Sequence, residues 1–245
     1  MQAFNSLSFS TQSPSRGVFL KTEPVQTPHR WSRHLPLWPL LLLLAVAAIG
    51  HALTRDGPAS FDAPLLLWFR VGTDTATLAG PAWALAFWQG LTWLGDTLPR
   101  IVVGIGTVIG LLWLRRWQGA LLLAGVLLSG LGLSTAFKQW VGRPRPQLVA
   151  HLDPVTSLSF PSGHALNSTL FYLAVALMLA PLLRARAARW VVYAVAMGLS
   201  LATGVSRVAL GVHYPTDVIA GWVIAGAWVW LWFTLAQRYW PQALR

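Results

Sequence analysis

The segment QGALLLAGVLLSGLGLSTAFK, residues 118–138, contains no charged residue before its final lysine. A helix that crosses the hydrocarbon core of a bilayer needs about 20 predominantly apolar residues. This segment is therefore predicted to be a transmembrane helix. The next eight residues, QWVGRPRP at 139–146, place two arginines directly after it. The sequence thus predicts a membrane protein with a basic cluster at the end of one span.

The composition of the 245-residue chain indicates the same class. Hydrophobic residues make up 55% and charged residues only 10%, whereas soluble domains carry about 25% charged residues. Such a chain cannot cover a water-facing surface, which excludes a soluble enzyme and global disorder. The absence of cysteine excludes disulfides, thiolate metal sites and cysteine nucleophiles. Fifteen tryptophans fit many helix ends at the membrane interface.

Apolar segments on both sides of residues 118–138 predict an all-α polytopic membrane protein with six transmembrane helices. The predicted spans are 35–53, 98–114, 118–138, the segment from the 161–163 turn to 183, 190–205 and 216–235. The second span is short for a bilayer, which leaves open a start inside the preceding tryptophan-rich stretch. That stretch, residues 54–100, is mixed in polarity and is predicted to form interfacial helices between spans 1 and 2.

The distribution of charge predicts the orientation. Residues 1–34 are expected to be a disordered cytoplasmic tail rather than a cleaved signal peptide, and residues 35–240 the six-span domain. One face holds 11 Lys and Arg with one acid, and the other holds 7 with six acids. The positive-inside rule makes the first face cytoplasmic, with both termini inside. A net charge of +11 would suggest nucleic acid in a soluble protein; here it indicates the bilayer, and no nucleic-acid partner is expected.

Basic residues and histidines gather at three helix ends on the predicted outer face. The segments are KQWVGRPRP at 138–146, PSGH at 161–164 and SRVALGVHYPTD at 206–217. Lys and Arg at helix ends can extend their charged groups to the headgroups. That explanation accounts for one or two of these residues but not for their clustering beside two histidines.

These three segments resemble the signature of the type 2 phosphatidic acid phosphatases, a superfamily that includes soluble acid phosphatases and vanadium haloperoxidases. The signature reads Lys-x6-Arg-Pro, Pro-Ser-Gly-His and Ser-Arg-x5-His-x3-Asp. All eleven positions match in order: Lys138, Arg145, Pro146, Pro161, Ser162, Gly163, His164, Ser206, Arg207, His213 and Asp217. The resemblance covers about residues 35–236 and extends to Asp62 and Trp68. A haloperoxidase is disfavoured because those relatives are soluble.

The residue types suit phosphoryl transfer, in which negative charge spreads over the equatorial oxygens and catalysis is mostly positioning and electrostatic stabilisation. Lys138, Arg145 and Arg207 would supply positive charge, and arginine offers forked donors for phosphate. The turn at Ser162 and Gly163 opens a helix whose free backbone N–H groups can bind an anion. Ser162 is predicted to be both a helix cap and a phosphate ligand.

The resemblance implies that His213 forms a phosphohistidine while Asp217 holds its other ring nitrogen. His164 would then protonate the leaving oxygen and later activate water. No metal and no cofactor is expected, because the basic residues supply the charge. Each residue alone has a structural alternative: a helix cap for His164 and Ser162, a hydrogen-bonded pair for His213 with Asp217, and membrane anchors for Lys138 and Arg207. Their occurrence together on one face favours a catalytic site.

The expected function is an integral-membrane lipid phosphatase of the cell (inner) membrane with its site on the extracytoplasmic side. Its partners would be the bilayer and a membrane lipid phosphate: undecaprenyl diphosphate, phosphatidic acid or phosphatidylglycerol phosphate. The alternatives are a lipid phosphotransferase, a lipid A 1-phosphatase, a catalytically inactive lipid-binding relative and a transporter. Arg143, outside the signature, is predicted to support phosphate or headgroup binding. The remaining histidines are expected to be structural or solvated: His29, His34, His51 and His151.

Overall fold

The computed structural model describes residues 37–244, and these residues are mostly helical. The helices are α1 Trp38–Arg55, α2 Asp62–Leu67, α3 Ala84–Leu94, α4 Thr97–Trp113, α5 Trp117–Val141, α6 Gly163–Leu179, α7 Arg186–Ala209 and α8 Pro215–Tyr239. Two short strands, β1 Arg70–Val71 and β2 Asp74–Leu78, lie between α2 and α3. Short 3-10 helices, Ala180–Leu182 and Pro241–Leu244, follow α6 and α8. The predicted tail at residues 1–34 and its two histidines lie outside the described residues.

Five helices are each long and apolar enough to cross a membrane: α1, α5, α6 with its 3-10 extension, α7 and α8. The pair α3 and α4 passes the same test as one span bent by 41°. The bend falls at Gly95 and Asp96, where Asp96 leaves the helical conformation with ψ 165°. A Cβ on Gly95 would overlap Cγ2 of Thr203, so glycine lets the bend pack closely against α7. The multi-pass prediction is confirmed, with five to six spans among the described residues.

The tryptophan-rich stretch differs from its prediction. Instead of helices alone, it contains an antiparallel hairpin in which Arg70 pairs with Leu78 and Val71 with Asp74. Gly72 adopts a φ of +55° in the turn, a conformation that glycine adopts readily. The side chain of Asp74 accepts hydrogen bonds from the backbone N–H groups of Ala76 and Thr77. The all-α expectation therefore describes the spans but not this hairpin, whose turn contains Gly72.

The helical bundle is organised around α6, which packs against α5, α7 and α8. Leu123, Leu166 and Ile224 from three of these helices are fully buried in one apolar core. Glycines set two of the closest contacts. A Cβ on Gly204 of α7 would lie 2.5 Å from the Trp222 ring of α8, and one on Gly130 of α5 would overlap Leu170 of α6. These contacts fix the ends of the helices that carry the signature residues.

Candidate active site

The three signature segments meet at one end of the bundle. Lys138 lies in the last turn of α5, Arg207 in the last turn of α7, and His213 two residues before α8. Nη1 of Arg145 lies 3.3 Å from Nε2 of His213. The backbone N–H of Ser162, just before α6, donates to the carbonyl oxygen of Asp217 at 3.0 Å. Residues separated by up to about 80 positions are thereby brought into one site.

The contacts of His213 define which of its ring nitrogens is free to react. A guanidinium carries only donors, so the contact with Arg145 requires Nε2 to be the acceptor and therefore unprotonated. The proton then lies on Nδ1, which is 3.3 Å from Oγ of Ser159 and 3.5 Å from Oδ2 of Asp217. Ser159 donates to that same Oδ2 at 2.5 Å. Ser159 thus lies between the imidazole and the carboxylate, a role for which it gave no signal in the sequence.

Burial keeps the His213 ring neutral. The side chain is 2% exposed, and removal from water lowers its pKa to about 3, an effect that the neighbouring Asp217 opposes and Arg145 and Arg207 reinforce. The pKa of Arg145 is lowered to about 10, chiefly by burial and then by Arg207, so Arg145 remains charged near neutral pH. The pair therefore presents a neutral nucleophilic nitrogen beside a fixed positive charge.

Arg143 occupies a different place from the one predicted. It is 2% exposed, and its two terminal nitrogens bind Oδ1 of Asp217 at 2.6 Å and Oδ2 of Asp62 at 3.2 Å. Thr216 joins the same network by donating its hydroxyl to Asp62 at 2.8 Å. The ring of Tyr214 lies under the guanidinium, 4.2 Å from its centroid to Cζ. The predicted phosphate or headgroup contact is therefore wrong: two buried carboxylates already engage Arg143.

His164 has a partner that the sequence does not predict. Its Nε2 lies 2.7 Å from Oδ1 of Asp96, at the bend between α3 and α4. The His164 side chain is 26% exposed, unlike that of His213. The carboxylate holds Nε2 of His164 and leaves Nδ1 as the ring nitrogen without that partner. Asp96 lies 68 positions away in the chain, so neither spacing nor the signature could have identified it.

The predicted phosphate-binding cations line the same site. Arg207 binds Oδ2 of Asp153 at 2.8 Å and Oγ1 of Thr92 at 2.6 Å through Nη1. Its Nε is buried and has no hydrogen-bond partner among residues 37–244, so a donor is available to a ligand. Lys138 donates from Nζ to the carbonyl oxygen of Leu158 at 2.5 Å. Arg207 and Lys138 therefore lie where each could donate a hydrogen bond to a bound anion.

The start of α6 provides the remaining predicted contacts. Ser162 is fully buried, and its Oγ accepts from the backbone N–H of Ala165 at 3.4 Å as the helix cap. Gly163 begins the helix, and a Cβ there would lie 3.6 Å from Cε of Lys138. The capping prediction for Ser162 is confirmed. Its direct contact with phosphate stays a prediction, as does that of Gly163.

The other histidines take structural positions. Nε2 of His151 is 2.7 Å from the carbonyl oxygen of Pro146, and His51 packs edge-on against Trp140. Trp68 is 75% exposed and contacts Phe69 rather than the site. Within the described part of the chain, no three His, Asp or Glu side chains are grouped as metal ligands. The site that results places basic side chains beside two histidines that are held by different partners.

Membrane-spanning helices that bring two histidines and three cations to one end of the bundle are the arrangement expected of a membrane-embedded phosphatase. Comparison with known proteins specifies the family. The family model of the PAP2 superfamily matches residues 118–241. The chain belongs to the PAP2 superfamily.

Three similar proteins illustrate the membership. Phosphatidylglycerophosphatase B of Bacillus subtilis is 36% identical over 190 residues, which are 75% of this chain and 87% of the relative. A lipid A 1-phosphatase of Rhizobium etli is 34% identical over 148 residues, 53% of this chain and 59% of that protein. The crystal structure of a transmembrane PAP2-type phosphatidylglycerolphosphate phosphatase from Bacillus subtilis superposes with a TM-score of 0.69 at 27% identity, covering 84% of this chain and 97% of that one. The predicted class, a membrane lipid phosphatase, is confirmed.

Proposed function

We propose that this chain hydrolyses phosphate monoesters or diphosphates of membrane lipids through a phosphohistidine formed on Nε2 of His213. The observation that carries the proposal is the 3.3 Å contact between this nitrogen and Arg145, which leaves a lone pair on Nε2. The same arginine would bind the phosphate that His213 attacks. His213 thereby supplies the nucleophile, and the adjacent Arg145 stabilises the negative charge of the same phosphate.

The first half-reaction follows from the positions of the side chains. Lys138, Arg145 and Arg207, together with the first backbone N–H groups of α6, hold the phosphoryl oxygens. Nε2 of His213 bonds to phosphorus while the bond from phosphorus to the lipid oxygen breaks. His164 protonates the departing oxygen from its Nδ1, the nitrogen that Asp96 does not hold. Such proton transfer typically contributes about 10²- to 10⁴-fold to the rate.

The second half-reaction regenerates the free enzyme. His164, now neutral, removes a proton from water, and the water oxygen attacks the phosphohistidine. The bond between phosphorus and Nε2 breaks, and inorganic phosphate leaves. Through both steps the hydroxyl of Ser159 and the carboxylate of Asp217 hold the Nδ1 proton, which keeps Nε2 as the reacting atom.

The site is proposed to face the extracytoplasmic side of the cell (inner) membrane, with both termini in the cytoplasm. The loops at the opposite end of the bundle, at 115–116 and 184–189, carry five arginines and no acid. That excess is the feature that the positive-inside rule associates with cytoplasmic loops. The catalytic charges would then lie at the level of outer-leaflet headgroups.

Phosphatidylglycerol phosphate is the first substrate candidate, supported by the name and the 87% coverage of the Bacillus relative. The similarity to lipid A 1-phosphatases supports a lipid A phosphate as the second. Phosphatidic acid, a phosphate monoester, and undecaprenyl diphosphate, a phosphoanhydride, are the remaining candidates, because each has a terminal phosphoryl group that a histidine could accept. A lipid acceptor in place of water would make the same chemistry a phosphotransferase.

The test is phosphate release by the purified, detergent-solubilised full-length protein without added metal. The lipids are phosphatidylglycerol phosphate, phosphatidic acid, undecaprenyl diphosphate and lipid A. His213→Ala should abolish release, whereas His51→Ala, a histidine outside the site, should retain it. Activity that persists in folded His213→Ala would refute the nucleophile. Lipid-dependent transfer without phosphate release would replace the hydrolase by the phosphotransferase.

A further inference from the structure

A cavity of about 440 Å³ opens between α4, α5 and α6. Most of its wall is apolar and includes Ile105, Leu128 and Phe171. Its polar side chains, Thr97, Arg100 and Asn167, lie near the N-terminal ends of α4 and α6. The cavity therefore has a cationic end, and the rest of its wall is apolar. This arrangement matches the charged headgroup and the apolar chain of a lipid.

The polar end of the cavity adjoins residues of the candidate active site. Asp96, which binds His164, immediately precedes Thr97 in the chain. At the start of α6, the position of a Cβ on Gly163 is 3.6 Å from Cε of Lys138 and 3.9 Å from Nδ2 of Asn167. A line of polar groups thus runs from the predicted phosphate cradle at Lys138 and Gly163, past Asn167, to Arg100.

Arg100 has donors that the protein leaves unused. Its Nε donates to the carbonyl oxygen of Asp96 at 3.1 Å. No residue between 37 and 244 accepts from its two terminal nitrogens, and no carboxylate in that range forms a salt bridge with it. Asn167 likewise makes no side-chain hydrogen bond within the described chain. A guanidinium at an apolar cavity is unfavourable unless an anion accompanies it.

We propose that Arg100 and Asn167 bind a second phosphate of the substrate, located between the scissile phosphate and the acyl chains. The proposal rests on the proposed function and specifies its substrate class: lipids in which glycerol joins two phosphates. Asn167 lies about one helical turn beyond Gly163, and Arg100 one turn beyond Asp96, a step of about 5.4 Å along each axis. Phosphates joined by glycerol lie farther apart than the two phosphates of a diphosphate, which share one bridging oxygen, and therefore suit two positions one helical turn apart better.

The experiment compares phosphatidylglycerol phosphate with phosphatidic acid of the same acyl chains, which lacks the second phosphate. Arg100→Gln should lower the ratio of their kcat/KM values by about tenfold or more, the effect of one charge-assisted hydrogen bond. Arg100→Lys should recover part of the ratio, and Asn167→Ala should lower it less. Arg184→Gln, which removes an exposed arginine of the opposite loop, should leave the ratio unchanged. Equal loss on both lipids would overturn the proposal, because it would show that Arg100 acts through His164 or the fold.

A binding measurement tests the second phosphate site independently of the phosphohistidine mechanism. In the His213→Ala background, tryptophan fluorescence should show tighter binding of phosphatidylglycerol phosphate than of phosphatidic acid, and Arg100→Gln should remove the difference. This result can hold even if the phosphohistidine proposal fails. Undecaprenyl diphosphate provides the third arm: a loss of its binding as large as that of phosphatidylglycerol phosphate would overturn the glycerol-linked assignment.

Discussion

Nη1 of Arg143 donates a hydrogen bond of 2.6 Å to Oδ1 of Asp217, and both side chains are at most 2% exposed. The other oxygen of Asp217 faces Ser159 and His213. Arg143 also binds Asp62, the first residue of α2. The loop after α5, the short helix α2 and the start of α8 are therefore joined by one guanidinium. The orientation of the carboxylate beside the proposed nucleophile depends on this buried arrangement.

Arg143→Met should destabilise the protein strongly, because it leaves two buried carboxylates without their cation. Removing one partner of a buried ion pair typically costs about 3–5 kcal/mol. Thermal unfolding of the detergent-solubilised variant should begin at a clearly lower temperature, and kcat should fall because Asp217 loses its position. Arg184→Met, a change at an exposed arginine, provides the control. An unaltered unfolding temperature in Arg143→Met would show that the network is not needed for the fold.

Asp96→Asn tests the pairing of Asp96 with His164. Without the carboxylate 2.7 Å from Nε2, the protonated form of His164 is less stabilised, and its action as the acid should weaken. A lipid alkoxide needs that proton, whereas p-nitrophenolate leaves without one. The kcat for a lipid substrate should therefore fall by about 10- to 100-fold, and the rate with p-nitrophenyl phosphate should fall much less. Equal losses with both leaving groups would contradict the assignment of His164 as the acid.

The contrast between His164 and Asp96 shows what sequence reasoning could reach. His164 was found because it adjoins a Pro-Ser-Gly turn that opens an apolar helix, a local pattern. Asp96 comes close to His164 because the chain bends between α3 and α4 and because Gly95 packs against Thr203. Ser159 was missed for a related reason, since its role depends on the loop before α6 reaching the start of α8. Spans and signature positions are local properties of the chain, whereas such pairings arise from tertiary packing.

Arg143 illustrates a second limit of sequence reasoning. It stands in the same arginine- and proline-containing segment as Arg145, and the residue types predict the same role for both. Only the structure shows Arg143 enclosed by two carboxylates and Arg145 beside Nε2 of His213. The hairpin at β1 and β2 was missed because its strands, of two and five residues, are too short for a periodic pattern.

Vanadate should inhibit the enzyme, whereas a chelator should leave its activity unchanged. Vanadate can adopt the five-coordinate geometry of phosphorus in transfer, and Lys138, Arg145 and Arg207 offer it the charge that they would offer phosphate. Inhibition by vanadate is therefore expected, and it should be competitive with the lipid. EDTA should leave phosphate release intact, because these cations supply the charge stabilisation. Loss of activity in EDTA that Mg²⁺ restores would refute the claim that these side chains, rather than a metal ion, stabilise the charge of the phosphate.

The burial of His213 predicts a dependence of stability on pH. Its pKa is about 3 in the folded protein and about 6.5 in an unfolded chain. Between these values the unfolded state binds a proton that the folded state does not, so the free energy of unfolding rises with pH and falls as the pH drops. The loss should be about 2 kcal/mol between pH 7 and pH 5. His213→Gln should show a shallower decline in unfolding temperature over that interval; an identical decline would contradict a neutral, buried His213.

Ser159→Ala tests whether the serine hydroxyl is part of the arrangement that holds the Nδ1 proton of His213. Oγ of Ser159 lies 3.3 Å from Nδ1 and donates to Asp217 at 2.5 Å, whereas Asp217 itself is 3.5 Å from Nδ1. Removing the hydroxyl should lower kcat by about tenfold, the effect of one hydrogen bond of roughly 1.4 kcal/mol. KM should change little, because the hydroxyl faces the side of the ring away from the proposed phosphate site. Ser159→Thr keeps the hydroxyl and should retain more activity than Ser159→Ala if the enlarged side chain is accommodated.

The same serine variant separates orientation of the ring from general loss of structure. Its unfolding temperature should stay close to that of the unsubstituted protein, since the Arg143 contact to Oδ1 of Asp217 remains. Asp217→Asn should be more damaging than Ser159→Ala, because it removes the charge that both Arg143 and the Nδ1 side of His213 face. If Ser159→Ala retained full kcat, Asp217 would have to hold Nδ1 directly, with the ring moved toward it. A crystal structure of that variant would then show the distance between Nδ1 and Oδ2 shortened from 3.5 Å to that of a hydrogen bond.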